Sequence, residues 1–344
     1  MKNFLLNQHV IKMNNREKYI VTGGCGFIGH HMVEYLLKNT DGDIYIIDRL
    51  DNSGCINRLT YIEDWELNKK RVFFVWHDLK SEIHKNEILM KILDGASILY
   101  HIAAASHVDR SIEAPLDFVM DNVVGTCNIL NFARLCPSIK AMVYFSTDEV
   151  FGPAMGGVSY KEWDRYCSGN PYSASKAGGE ELCLAFHNTY GVPVMISHCM
   201  NVFGERQHPE KFIPKCIRSA YKGEKVYIHA NKNLTIPGSR FYIHANNVCS
   251  AVDFIIKNGK AGDKYNIVGE KEIDNLSLGN MIADIIGKKL NYELVDFHSS
   301  RPGHDLRYAL DGTKLKDMGW KMVNNLEQSL EKVIKWTMNN ETWL

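Results

Sequence analysis

Short apolar, β-branched runs alternate with longer stretches of helical spacing through the first half of the chain. Strands are expected at Lys18–Thr22, Asp43–Asp48, Val72–His77, Ile98–Ile102, Ala141–Ser146 and Val194–His198, and helices from about Phe27, Pro115 and Tyr172. Strand, crossover helix and strand in this order predicts an α/β fold built on a doubly wound parallel sheet. Beyond about Asn201 the alternation loosens into loops, short strands such as Lys264–Val268 and terminal helices, which reads as a smaller C-terminal α/β lobe. No Gly/Ser or Pro linker and no internal repeat separates the halves, so the lobes are expected to pack around one shared cleft. The chain thus divides into an N-terminal extension (1–17), a sheet domain (18–200) and a smaller lobe for substrate (201–344), interleaved without a clean linker.

The first strand feeds Gly23-Gly24-Cys25-Gly26-Phe27-Ile28-Gly29, and a helix opens there. Glycine lets the backbone approach a pyrophosphate closely, and a helix N-terminus offers free amides and partial positive charge. Asp48 ends the second strand, where a carboxylate can accept both hydroxyls of an adenosine ribose. A tight helix-on-sheet turn would need the glycines too. The strand before, the helix after and Asp48 together select a dinucleotide held on a Rossmann sheet. Arg49 would welcome a 2′-phosphate that Asp48 repels, and the balance favours NAD over NADP. Asp78, after the third strand, contacts adenine or caps its own loop.

Tyr172-Ser173-Ala174-Ser175-Lys176 sets a phenol and an ammonium four residues apart on one helix face. Free tyrosine titrates near ~10, too high for a base at neutral pH, and an ammonium ~4 Å away in a partly buried site is expected to lower that value by roughly two to three pH units. Such a pair also arises by chance on solvated helices; its place after five strands of a dinucleotide-binding sheet singles it out. Ser146-Thr147-Asp148-Glu149-Val150 falls at the carboxyl end of the fifth strand, the edge where such sheets bind ligands. Adjacent acids there would ordinarily be a helix cap or a solvated loop. Thr147 can hold a sugar hydroxyl under oxidation, and two acids suit a reaction that needs both a general acid and a general base. Neighbours on a regular strand point to opposite faces, so both acids reach one cavity only if the strand ends near Asp148.

Composition narrows the partners. The 40 basic and 40 acidic residues cancel, leaving no overall field for nucleic acid or an anionic membrane, so phosphate recognition has to be local. Nine cysteines without a Cys-x-x-Cys pair argue against a zinc site or a disulfide framework, and no metal is expected. The first seventeen residues lack the apolar core of a secretory signal, and no stretch approaches the ~20 apolar residues of a membrane helix. The cytoplasm is the expected compartment.

Longer motifs carry a resemblance over residues 17–344: TGGCGFIG from Thr22, HIAAASHVDRSIEAP from His101, Asn122 with Gly125-Thr126, STDEVFG from Ser146, NPYSASKAGGEE from Asn170, QHPEKFIP from Gln207 and RPGHDLRYALD from Arg301. The chain resembles the extended short-chain dehydrogenase/reductase family and, within it, the dTDP-glucose 4,6-dehydratases. The resemblance implies that Tyr172 deprotonates the sugar 4-hydroxyl while carbon 4 gives hydride to NAD, with Lys176 holding the nicotinamide ribose and Thr147 the 4-oxygen. Glu149 would then remove the carbon 5 proton as Asp148 protonates the departing 6-hydroxyl, and hydride returns to carbon 6. Cofactor contacts implied are Gly23, Gly26, Phe27, Ile28, Asp48, Asp78, Leu79, Ala103, Tyr172 and Lys176. Substrate contacts implied are Ser106, Asn201, Glu210, Lys211, Arg240, Asn275, Arg301 and His304; for Arg240 and Arg301 the alternative is an ion pair, and for His304 a structural turn.

Related 4-epimerases usually carry small or apolar residues in place of Asp148 and Glu149, so an epimerase or reductase is the alternative activity, and a non-catalytic NAD-sensing protein a third. The pattern is broken at His198 (commonly Arg), Glu205-Arg206 (Pro-Tyr), Phe241 (Asp), Asn246-Asn247 (Asp) and Asp51-Asn52-Ser53 (Thr-Tyr-Ala). Those in the second lobe leave UDP-, GDP- or heptose-based substrates open beside dTDP-glucose. The resemblance further implies a homodimer that pairs the helices containing Asn122–Ala133 and Tyr172–His187 into a four-helix bundle.

Overall fold

A computed structural model describes residues 16–51, 53–296 and 306–344. Its main sheet has seven strands: β1 (Lys18–Thr22), β2 (Asp43–Asp48), β3 (Val72–Trp76), β4 (Ile98–His101), β5 (Ala141–Thr147), β6 (Val194–Cys199) and β10 (Lys264–Ile267). They lie in the order β10-β6-β5-β4-β1-β2-β3, and each pairing is parallel. The order reverses beside β1, which places the glycine turn at the switch point where such sheets bind ligands. Every residue of β5 and of β6 is buried, because helices cover both faces of a parallel sheet. One core cluster gathers Met32, Leu36, Ile46 and Val143, and another gathers Ile20, Leu99, Phe132 and Met142.

Six strands expected from the apolar runs form within a residue of their limits. Lys264–Val268 is the exception in place rather than in kind. Read from sequence as part of the smaller lobe, it is edge strand β10 of the main sheet, in register with β6 from Lys264 opposite Ile196. Helix Ala245–Asn258 likewise packs Val248, Val252 and Ile255 into the main core. The chain therefore returns to the first lobe after residue 201, and a single cut near 200 does not separate the two. Local periodicity marks a strand but not the partner it pairs with.

The smaller lobe holds β7 (Asn201–Phe203), β9 (Ser239–His244) and β11 (Glu272–Asp274) in one sheet and β8 (Val226–Ala230) beside β12 (Tyr292–Asp296) in another. Helices Phe212–Lys222, Asn275–Ile286 and Leu326–Met338 close its core around Ile217, Ile228, Leu278 and Leu330. The helix expected from Pro115 is interrupted: Pro115–Val119 passes through a wide π-type turn, Met120–Val124, before Gly125–Leu135. That turn directs Asn122 inward, where it bonds Ala105 and Ser175. No described helix is long and apolar enough to cross a membrane.

Candidate active site

Two adjoining cavities meet at Tyr172. The larger, about 550 Å³, is lined by all ten residues expected to hold the cofactor: Gly23, Gly26, Phe27, Ile28, Asp48, Asp78, Leu79, Ala103, Tyr172 and Lys176. The glycine turn is built for close approach. Gly23 sits at φ +69°, and a Cβ there would stand 2.7 Å from the Ala103 Cα; one on Gly29 would stand 2.0 Å from the Gly23 carbonyl oxygen. Only glycine fits both places. Asp48 is buried and accepts from the amides of Cys25 and Leu50, each at 2.9 Å, so it braces the turn and lines the cavity at once. Asp78 lines the cavity and caps its own loop, accepting from the Lys80 amide at 3.0 Å.

Arg49 resolves the question of the 2′-phosphate. Its guanidinium grips Asp121 through two bonds of 2.6 and 2.7 Å, donates from Nε to Asp51 at 2.6 Å and lies 3.4 Å from Asp78. A cation held by three carboxylates, beside Asp48, offers no net positive field to a phosphate. The residues present fit a dinucleotide whose adenosine ribose is unphosphorylated.

The smaller cavity, about 240 Å³, is lined by Thr147, Asp148, Glu149 and Tyr172 with Ser106, Asn201 and Lys211. Both acids open into it because β5 stops at Thr147 and the chain tightens into a 3-10 turn, Asp148–Phe151. The alternation of side chains ends with the strand, which is the geometric condition that two adjacent acids must meet. Thr147 Oγ1 donates to Asp148 Oδ1 at 3.0 Å, while Asp148 Oδ2 is buried without a hydrogen-bond partner among the described residues. Glu149 Oε2 accepts from Asn170 Nδ2 at 3.2 Å. Burial pushes the Asp148 carboxyl up to about 6. Burial and then the Asp148 charge push Glu149 up to about 7. Like charges this close hold one proton between them near neutrality, so an acid and a base coexist in the pair.

Tyr172 is placed by a helix with strong end signals. The Asn170 side chain accepts from the Ser173 amide at 2.9 Å, Pro171 occupies the first turn, and Gly191 at φ +72° closes the far end. Tyr172 and Lys176 thus face the sheet one turn apart. The expected lowering of Tyr172 is not observed. Burial raises the phenol far above its ordinary value and Glu149 raises it further, with only a hydrogen bond to Thr147 opposing. The Lys176 ammonium instead stands 4.2 Å from the centre of the Tyr144 ring, and burial pulls it down to about 8. Four residues apart on a helix brings two residues to one face; it does not aim the longer side chain at the shorter.

Glu180 lies one further turn along, buried and ionised, with Ser146, Tyr166 and His198 bonded to it. His198, one of the departures noted above, donates or accepts at both nitrogens, at 3.0 Å to Glu180 and 2.9 Å to Asn266.

Other substrate positions are met unevenly. Ser106, Glu210 and Lys211 line the larger cavity, and Glu210 lies within 3.6 Å of both His107 and Arg110 across the cleft. Arg240 donates to the Ser239 and Leu306 carbonyls, each at 2.7 Å, and its charge is felt at both Asp148 and Glu149. Asn275 lines neither cavity: it accepts from the Tyr242 hydroxyl at 2.8 Å, and Tyr242 lines the smaller one. Asp274 caps that helix, and Asn275, its first residue, spends its side-chain oxygen on the sheet residue in front of it. Arg301 and His304 lie outside the described residues. Sequence reasoning missed Asn170, Gln207 and Tyr242. Asn170 carried a signal, an Asn-Pro helix start directly before Tyr172, but it was legible only as a cap.

A glycine turn at the switch point of a parallel sheet, with a Thr-Tyr-Lys set beside it, defines a dinucleotide-binding oxidoreductase-type fold of the extended short-chain dehydrogenase/reductase class. A family model described as GDP-mannose 4,6 dehydratase matches residues 20–333. The chain belongs to this family. It is 35% identical over 322 residues to the low-salt glycan biosynthesis protein Agl12 of Haloferax volcanii, covering 94% of this chain and 99% of that one. It is also 35% identical to a dTDP-glucose 4,6-dehydratase of Escherichia coli, with 95% of each chain covered. The fold matches the crystal structure of the dTDP-glucose 4,6-dehydratase DesIV from Streptomyces venezuelae with NAD and TYD bound, at a TM-score of 0.84 and 31% identity over 95% of this chain and 98% of that one.

Proposed function

We propose that the protein is an NAD-dependent nucleotide-sugar 4,6-dehydratase, a hydro-lyase acting on an NDP-hexose, with dTDP-glucose as the first candidate. The observation that carries this reading is the opening of Asp148 and Glu149 into the cavity that Tyr172 also lines. An epimerase needs Thr147, Tyr172 and Lys176 alone; two acids with raised values, Asp148 fully buried and Glu149 half-buried, would burden such a site without use.

Bound in the larger cavity, NAD supplies a hydride acceptor for carbon 4 and a donor for carbon 6. Tyr172 takes the 4-hydroxyl proton, and Thr147, hydrogen-bonded to Tyr172, holds the 4-oxygen. Lys176 holds the cofactor ribose and supplies the positive charge that the buried phenolate requires. Once carbon 4 is a ketone, the carbon 5 proton is acidic; Glu149 removes it and Asp148 delivers a proton to the departing 6-hydroxyl. The higher value falls on Glu149, so these roles require the proton to sit on Asp148 with substrate in place. Asp148 Oδ2 has no partner among the described residues and can donate to the substrate, whereas the Asn170 bond favours a Glu149 carboxylate. Lys211, Ser106, Asn201 and Glu210 line the route of the sugar diphosphate, and Arg240, Arg301 and His304 are the further contacts proposed for phosphate or base, the guanidinium fork being suited to a diphosphate.

The nine free cysteines suit a reducing cytoplasm. A second copy of the chain is the proposed partner. Leu116 and Val119 are exposed on the helix Pro115–Val119, and Ile112 on the preceding short helix Val108–Glu113, both packed beside the Tyr172 helix; together they form an apolar patch that a four-helix bundle would cover. The decisive experiment is incubation with dTDP-, UDP-, GDP- and CDP-hexoses, read by loss of one water and by solvent deuterium at carbon 5. A 4-epimer without dehydration would sink the proposal.

A further inference from the structure

A buried polar network behind the glycine turn has no part in the chemistry assigned above. His30, one turn into the helix that opens at Phe27, lies with its Nδ1 2.9 Å from the Gly26 carbonyl and its Nε2 2.8 Å from the Nε of Arg206. A carbonyl only accepts and a guanidinium only donates, so the ring is neutral with its proton on Nδ1. Arg206 also donates to Glu34 Oε2 at 2.6 Å and to the Tyr61 carbonyl at 2.8 Å, which engages all three of its nitrogens. Its own carbonyl accepts from Arg58 Nε at 3.0 Å, and Arg58 Nη1 reaches the carbonyls of Ser53 at 2.6 Å and Cys25 at 3.2 Å.

His30, Arg58 and Arg206 are each at most 4% exposed. Arg206 adopts φ +62°, a left-handed conformation that a non-glycine residue keeps only where its surroundings over-determine it. The chain passes from it directly to Gln207 and then Lys211, and both line the two cavities. Two ends of the site, distant in sequence, are therefore held by one side chain and its carbonyl.

We propose that Arg206 is a positioning residue that couples the two cavities, holding through His30 and Arg58 the Gly26 and Cys25 carbonyls of the cofactor turn while its backbone sets the loop that receives the sugar nucleotide. Filling one cavity orders the other, and the two ligands bind with positive cooperativity. The inference rests on the reading of the larger cavity as an NAD site.

The test is release of labelled NAD from the purified holoenzyme with and without saturating dTDP. In the wild type dTDP slows release by about fivefold or more, the low end of ordinary coupling, and in Arg206→Met the ratio falls toward one. Because Arg206→Met takes from Glu34 its buried partner and leaves it only the half-exposed Lys38 at 3.0 Å, the double variant E34Q/R206M removes both charges of the buried pair and gives the same ratio in a fold spared that penalty. A residue that merely supports the fold would speed release equally in both conditions and leave the ratio at its wild-type value. That result in either variant, or a wild-type rate indifferent to dTDP, overturns the coupling. A wild-type protein that retains no NAD overturns the cofactor reading instead.

Discussion

Replacing Asp148 by Asn should stabilise the fold at alkaline pH while abolishing dehydration. The carboxyl is buried, and its value rises from 3.8 to about 6, chiefly through burial. It is thus harder to ionise in the folded protein than in the unfolded chain. The stability tied to it is fully present below pH 3.8 and is lost as pH rises through about 6. Linkage puts this penalty at about 1 kcal/mol at pH 4.5 and about 3 kcal/mol at pH 8. The amide of the variant does not titrate and carries no such penalty. Its NH2 or carbonyl, placed at the unpartnered Oδ2 position, costs ~1–3 kcal/mol at any pH and cancels from the comparison.

Relative to wild type, Asp148→Asn should therefore gain ~2 kcal/mol between the two pH values, or roughly 3 °C in melting temperature for a chain of this size. Relief of Glu149 acts in the same direction, since the Asp148 charge raises its value. Thermal unfolding with excess NAD at pH 4.5 and pH 8 reads the difference. A melting-temperature gap between variant and wild type that does not change with pH would refute the claim that Asp148 is buried against its charge.

Four further outcomes follow from the same geometry. Glu149→Gln should keep oxidation at carbon 4 but lower carbon 5 exchange and water loss by ~10²–10⁴, the usual worth of a general base, as followed by deuterium incorporation; unchanged dehydration would remove Glu149 from its role. Glu180→Gln should move the alkaline limb of kcat/KM below the limb set by Lys176 at about 8, because Glu180 opposes the burial that pulls the ammonium down. A limb that stays in place shows that Lys176 does not depend on it. Gly23→Ala should lose NAD and melt lower, since its Cβ would stand 2.7 Å from the Ala103 Cα at a backbone φ of +69°. Leu116→Lys should yield a monomer in sedimentation at micromolar concentration without loss of secondary structure; an unchanged dimer would move the interface elsewhere.

Much of the site was legible because it follows local rules. The glycine turn, Asp48 and the Tyr172–Lys176 spacing each depend on residues within about one strand and one helix of each other, and all line the cavity as expected. Reading failed where a side chain has more than one neighbour to choose. Lys176 lies over Tyr144 rather than lowering Tyr172, Asn275 supports Tyr242 instead of facing substrate, and β10 pairs with β6 across 68 residues of chain at His198 and Asn266. Helical spacing and strand periodicity carry no information about such partners.

Residue type and spacing were enough for the sheet, the phosphate-binding turn and the class of chemistry, since each follows from a period, a glycine position or a short run of side chains. Packing settled that Asp148 and Glu149 share one cavity, because that depends on β5 ending at Thr147. Packing also settled that Arg49 is consumed by three carboxylates and that Arg206 meets His30 across 176 positions. These contacts are set by which distant segments the packed core brings together, and no local pattern in the chain encodes them.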